Sequence, residues 1–335
     1  MRFGLSLPMQ HPIGDDLSQR FAELLEMVRL ARQAGFHHVS ASQHYLAAPF
    51  QYLQPLPVLA RVAAEAGTMT LGTGIMLLAL QHPVDVAESI ATLDVICGGR
   101  LVFGVGLGYR DVEFDAFGIP RGQRLSRFLE VLEVVQRLWT EDSVTFHGRH
   151  FHLEDVRLTT RPLQKPRPPI VIAASNDHMV QRVARIGDAW TIAGHATLAT
   201  LERQVALYRT ALAAEGKPFP PPRFGLGKEL YIARDMDTAL REALPYLATK
   251  YEAYAAWGQD HVLPSGETFR LPIEQLRQDR FIVGDPAHCR EQIALHRERL
   301  GLQQMGLRLH RPGLPHPRVM QAIELLGTHV LPHFA

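Results

Sequence analysis

The sequence predicts an α/β protein built as a closed, parallel (β/α)8 barrel of the TIM type. Three observations carry this: short apolar runs alternate with helix-period segments, the alternation repeats eight times, and no linker composition divides the 335 residues. Strands joined by right-handed crossovers place their helices outside, and eight such strands can close on themselves. A single domain over residues 1–335 follows, because barrels of this kind commonly exceed the usual domain size.

RFGLSL (2–7) reads as the first strand, closed by Pro8. Leu17, Phe21, Leu24, Leu25, Val28 and Ala31 recur at helical spacing over 17–34, and Gly35 stops that helix. HHVSAS (37–42) is the second strand and runs into Gln43 and His44. A helix over 55–66 opens near Pro55 and Pro57, MTLGTGI (69–75) makes the third strand, and 84–96 puts Val86, Ala87, Ile90 and Leu93 on one face. RLVFGV (100–105) is the fourth strand. The helix at 122–140 is strongly amphipathic, with Leu125, Phe128, Leu129, Leu132, Val135 and Trp139 in register.

SVTFHGRHFHL (143–153) alternates about His147 and Gly148, which predicts a hairpin inserted between barrel units. IVIAAS (170–175) and AWTIA (189–193) are the fifth and sixth strands, followed by helices at 177–186 and 198–215. RFGLGKELYIA (223–233) and MGLRLH (305–310) supply the seventh and eighth, with helices at 235–257 and 286–300 between them. Residues 258–284 show no steady period and are expected to form an irregular insertion above the sheet.

Composition narrows the function. Thirty-five basic against 34 acidic side chains leave no global field to hold nucleic acid or an anionic membrane. No run approaches the roughly 20 apolar residues of a membrane span, and MRFGLSLPMQ lacks a signal-peptide core. Cys97 and Cys289 form no CxxC pair, which fits a reducing cytoplasm. His147, His150 and His152 gather at the hairpin turn without HExxH or Cys/His spacing, so no metal site is expected. Small-molecule chemistry remains.

Barrels of this type work at the carboxyl ends of their strands. LPMQH, SQHY, GIMLLALQHP, GVGLGYR and AASND converge there. Gly106 and Gly108 have no Cβ, so either something flat presses on the backbone or the barrel packs against itself. GVGLG is no dinucleotide fingerprint, because the GxGxxG pattern fails at Tyr109. Glu88, Asp94 and Arg100 read as a structural polar group outside any site.

GTGIMLLALQHPVDVAESIATLDVICGGRLVFGVGLGYRDVEFDAFG (72–118), with RFLEVLEVVQRLWT, VTFHGRHF and IAASNDHMVQRVARIGDAW further on, resembles the bacterial luciferase-like flavin monooxygenases. The likeness runs over nearly the whole chain. It implies that reduced FMN, or in some branches the deazaflavin F420, binds at the carboxyl-end face, where the glycines make room for it. The ring system would rest at Gly74 and Ile75, a place where many members have a non-prolyl cis peptide, beside Gly106 and Tyr109. Ser175 and Asn176, with the amides of His178 and Met179, would hold the phosphate, and the Tyr109-Arg110 segment would close over it. His44 would be the catalytic proton carrier, although Gln43-His44-Tyr45 lacks the acidic neighbour of some relatives. Met9, Met76, Arg110, Trp190 and His195 would line the substrate pocket.

The implied activity is a monooxygenase reaction: reduced FMN and O2 give a C4a-(hydro)peroxyflavin that oxygenates a small organic substrate. Because nothing resembles an NAD(P)H-binding domain, a separate NAD(P)H:flavin reductase is the implied partner. F420-dependent hydride transfer and a non-catalytic flavin-binding role are the alternatives. Relatives associate through their early helices, so a homodimer or larger homo-oligomer is expected.

Overall fold

The computed structural model describes residues 1–335. Eight parallel strands form the barrel: β1 (Arg2–Ser6), β2 (His38–Ala41), β3 (Thr70–Thr73), β4 (Leu101–Gly106), β5 (Ile170–Ala174), β6 (Ala189–Ala193), β7 (Gly225–Ile232) and β8 (Gln304–Arg308). Neighbours in the chain pair with each other, Ile170 of β5 lies opposite Phe103 of β4, and Arg2 of β1 lies opposite Gln304 of β8, so the ring closes. These strands fall where the alternation placed them, to within two residues.

Strand positions that point outward are large and apolar, and the helices cover them. Met305, Leu307 and Leu309 are wholly buried on the last strand and its extension. The helix Arg124–Thr140 inserts Phe128, Val131, Leu132, Val135, Leu138 and Trp139, each worth about 1.5–3 kcal/mol when fully removed from water. The Trp139 indole also donates to the Ala87 carbonyl at 3.1 Å, which fixes this helix against Pro83–Ile96. Asp94 is fully buried and accepts from the Gln164 amide and side chain, so it staples a loop as the sequence suggests.

The inward positions are unusual. Barrels normally fill their interior with layers of branched side chains, whereas here Gly4, Gly72, Gly225, Gly227 and Gly306 lie on inward faces. A Cβ on Gly4 would sit 1.8 Å from His38 Nε2, so that imidazole occupies the space the glycine leaves. Burial holds the His38 ring down at a pKa of about 3, and it is neutral. Around Gly306 nothing approaches closer than 3.9 Å, and the barrel stays open there.

Three features differ from the sequence expectation. Within 258–284, Phe281–Gly284 is a strand rather than irregular chain: it pairs in parallel with Glu229 to Ile232. The reason is the length of β7, whose first half pairs with β8 while its second half leaves the ring and offers a fresh edge. A helix at His316–His329 follows the barrel and packs against Leu17–Gln33, where no element was expected. A short helix, Asp111–Ala116, follows β4 and carries Glu113.

The hairpin is present, with Val144–His147 paired to His152–Val156. Glu130 fastens it by accepting the amides of Arg149, His150 and Phe151 at 2.9 to 3.3 Å. His150 bonds Ser126 and His147 pairs with Glu154, which gives two of these histidines local partners. No helix is long and apolar enough to cross a membrane.

Candidate active site

A cavity of about 310 Å³ opens at the carboxyl ends of the strands and continues into the glycine-lined interior. That volume lies at the lower end of small-molecule sites, roughly 300–1,000 Å³. Its rim is formed by loops that follow β2, β4, β5 and β6, and its roof by Tyr254, Gln259 and Val262. Tyr109 reaches the roof, with its hydroxyl 3.4 Å from Gln259 Oε1.

His44 lines this cavity directly after β2. Its Nδ1 lies 2.9 Å from Oε1 of Glu113, whose side chain is wholly buried. The same carboxylate oxygen accepts the Tyr45 amide at 3.0 Å and faces Arg110 Nη1 at 3.4 Å. A carboxylate only accepts, so Nδ1 carries the hydrogen of this bond, and Nε2 has no partner in the chain. Tyr52, Tyr109 and Trp257 surround the ring at centroid distances of 5.4 to 5.8 Å and fix its plane. The acidic partner that the Gln43-His44-Tyr45 run lacks is thus supplied 69 residues further along. Sequence reasoning missed it, although an acid three residues after Arg110 on a post-strand helix was a usable signal.

Arg110 is not free to clamp a ligand, contrary to the sequence expectation. It is buried, donates to the carbonyls of Tyr45 and Leu46 at 2.7 and 3.0 Å, and stacks 4.1 Å over Trp257. Its work is to hold the His44 loop and the Glu113 carboxylate in place. The arginines that do line the cavity are Arg124, Arg223 and Arg308, which the sequence reading passed over.

The Gly74–Ile75 peptide is cis, and both residues line the cavity. The glycines of β4 need a correction. A Cβ on Gly104 would meet the Thr73 carbonyl at 2.0 Å, and one on Gly106 would meet Ile75 Cδ1 at 2.7 Å. The Thr73 carbonyl thus takes the space at Gly104, whereas Gly106 lines the cavity with Ile75 packed beside it. Gly108 has φ +78°, a left-handed turn that glycine adopts readily.

Asn176 caps the helix Asp177–Ile186 by accepting the Met179 amide at 2.9 Å. The Met179 amide is therefore spent, leaving those of Asp177 and His178 unpaired at the helix start, where partial positive charge collects. Ser175, Asn176 and Met179 line the cavity, whereas the His178 side chain points to solvent.

His195 also lines the cavity, 3.0 Å from the Tyr251 hydroxyl. Burial brings its pKa down to about 3, so it is a neutral ring. Met9 borders a small annex beside the cavity, at the carboxyl ends of β1 and β8. Met76 and Trp190 do not face the cavity: Met76 is buried in the core, and the Trp190 indole donates to Ala174 among Tyr208 and Phe224. Both are packing residues.

Comparison with known proteins places this geometry in a family. A model described as luciferase-like monooxygenase matches residues 1–304. The FMNH(2)-dependent dimethylsulfone monooxygenase of Pseudomonas putida is 28% identical over 75% of this chain and 70% of its own. The F420-dependent glucose-6-phosphate dehydrogenase of Microbacterium testaceum is 28% identical over 92% of each. With two uncharacterised proteins of Sinorhizobium fredii, the match spans 60% and 54% of their length. Among solved structures, the monooxygenase RslO1 of Streptomyces bottropensis superposes over the whole of both chains with a TM-score of 0.88 at 28% identity. The chain belongs to the luciferase-like monooxygenase family, a group of oxidoreductases whose relatives here depend on either FMN or F420.

Proposed function

We propose that this protein is a flavin-dependent monooxygenase that uses reduced FMN and O2 on a small organic substrate. The observation that carries the reading is the His44–Glu113 pair at the cavity wall, a histidine with one nitrogen fixed and the other presented to the ligand space. Full-length likeness to a monooxygenase structure supports it.

The residues fit such a cofactor. The wall left open at Gly306 and the Gly74–Ile75 end of β3 offer a place for a flat ring. The Ser175 hydroxyl, the amides of Asp177 and His178 and the Arg124 guanidinium offer a place for a phosphate. When bound, reduced FMN supplies the electrons that activate O2. His44 Nε2 then takes or returns a proton, while Glu113 keeps hydrogen on Nδ1 and stabilises the ring when it is charged. Tyr109 and Gln259 close the mouth and keep water from the reacting atoms.

A separate flavin reductase would deliver the reduced cofactor. We further propose a homodimer, for which the exposed Val95 and Ile96 at the end of helix Pro83–Ile96 are the support. F420-dependent hydride transfer is the second reading, favoured by the likeness over 92% of the Microbacterium enzyme. Anaerobic titration with reduced FMN and with F420 tests the choice. Tight F420 binding with no response to reduced FMN would replace the first reading by the second.

A further inference from the structure

We propose that the side of the cavity at the carboxyl ends of β1 and β8 is an anion subsite built around Arg308, and that the substrate carries a carboxylate there. Arg308 is on the inward face of β8, and its guanidinium lies flat over Gly227, where a Cβ would come within 3.0 Å of Nη2. It makes no hydrogen bond or ion pair in the chain, and its Nη1 is buried without a partner. Arg308 borders both the main cavity and the annex of about 50 Å³ beside it. A space of that size admits a headgroup of a few atoms.

The charges around it do not balance. Glu229 is the carboxylate of this cluster: Oε1 accepts Lys250 at 2.7 Å, and Oε2, which has no hydrogen-bond partner, lies 3.6 Å from Arg311. One carboxylate therefore meets three cations, Lys250, Arg308 and Arg311, and the missing member is an anion. Arg311 spends its two terminal nitrogens on the carbonyls of Leu309 and Leu230, which leaves Arg308 as the cation with donors to give. The titratable neighbours do not supply the charge. His195 and His310 are held neutral by burial, and burial also keeps the Tyr52 and Tyr254 phenols protonated.

Gln10 adds a second donor. It is buried, its Nε2 has no partner, and its Oε1 accepts from Tyr254 at 3.3 Å, so the amide nitrogen is directed by that bond. A planar guanidinium with two free edges suits a planar carboxylate better than a point anion. Tyr52, Tyr254, Ile75 and Val262 offer the rest of the cavity to an apolar or aromatic body. An unpaired, half-buried cation is costly to the empty protein, and an anionic ligand removes that cost.

This inference rests on the cavity being the substrate pocket, but its test needs neither cofactor nor turnover. The purified full chain is titrated calorimetrically with benzoate and with its uncharged analogue benzamide. Benzoate should bind at least about tenfold more tightly, a preference that Arg308→Met removes and Arg308→Lys keeps in part. Equal binding of the two, a preference that survives Arg308→Met, or displacement of benzoate by inorganic phosphate at like concentration would overturn the proposal. Thermal melting of the unaltered chain covers the case of a variant that does not fold. There, benzoate must raise the midpoint where benzamide does not, and a midpoint unmoved by benzoate overturns the proposal. Because no flavin is present, a failed flavin reading and a failed anion subsite give separate results.

Discussion

Glu113 Oε1 lies 2.9 Å from His44 Nδ1, and the same oxygen faces Arg110, so one buried carboxylate sits between a histidine at the cavity wall and a guanidinium behind it. Removing the carboxylate does two things at once. Glu113→Gln should lower turnover by about 10–100-fold, the usual effect of losing the partner that orients a functional imidazole. Cofactor affinity should stay within a few fold. Glu113→Ala should also leave Arg110 buried without its counter-charge and cost about 3 kcal/mol of stability. Steady-state kinetics and urea unfolding check the two effects separately.

His44→Ala isolates the proton carrier itself. Turnover should fall by about 10²–10⁴-fold, the range for a general acid or base, while flavin binding measured by fluorescence titration is retained. A collapse of binding instead would make His44 a binding residue.

The two β4 glycines should respond differently to the same change. Gly104→Ala drives a Cβ against the Thr73 backbone carbonyl at 2.0 Å, which cannot step aside, so a loss of about 3 kcal/mol or more is expected. Gly106→Ala meets only the tip of Ile75, which can rotate toward the cavity. It should cost about 1 kcal/mol of stability or less and show instead as weaker cofactor binding. Denaturation midpoints and binding titrations on both variants decide this.

Acid should destabilise the fold before its carboxylates titrate. His38 and His195 are held near a pKa of about 3 and His296 near about 4 by burial, against 6.5 for a free ring. Their folded values are depressed, so below pH 6.5 the unfolded chain binds protons that the folded chain refuses. The stability they confer is complete above 6.5 and is lost as the pH falls toward their folded values. With about 1.4 kcal/mol per pH unit for each group, the three together should remove roughly 4 kcal/mol between about pH 7.5 and 5.5. Urea unfolding at the two pH values measures it, and His38→Leu should flatten the slope.

The barrel was legible in the sequence because its strands are local apolar runs and its helices carry a local period, as in IVIAA and in the Arg124–Thr140 helix. His44 and Ser175 were legible because a strand's carboxyl end is where such barrels work. What escaped depends on contacts between distant segments. Glu113 stands in an acidic stretch that reads as surface until the fold carries it to His44. Gly106 reads as room for a ligand, and only the position of Ile75 shows that the chain shares that space. The strand Phe281–Gly284 was hidden because its pairing edge exists only where β7 outruns the ring.

The most direct test of the account is to mix the protein anaerobically with reduced FMN and then admit O2, following flavin absorbance and the hydrogen peroxide released. The account predicts one-to-one binding and a reoxidation slower than that of free reduced FMN, with both lost when Arg124→Ala is combined with Ser175→Ala. Reoxidation at the free rate, with full peroxide release and tight binding of F420 in its place, would contradict it.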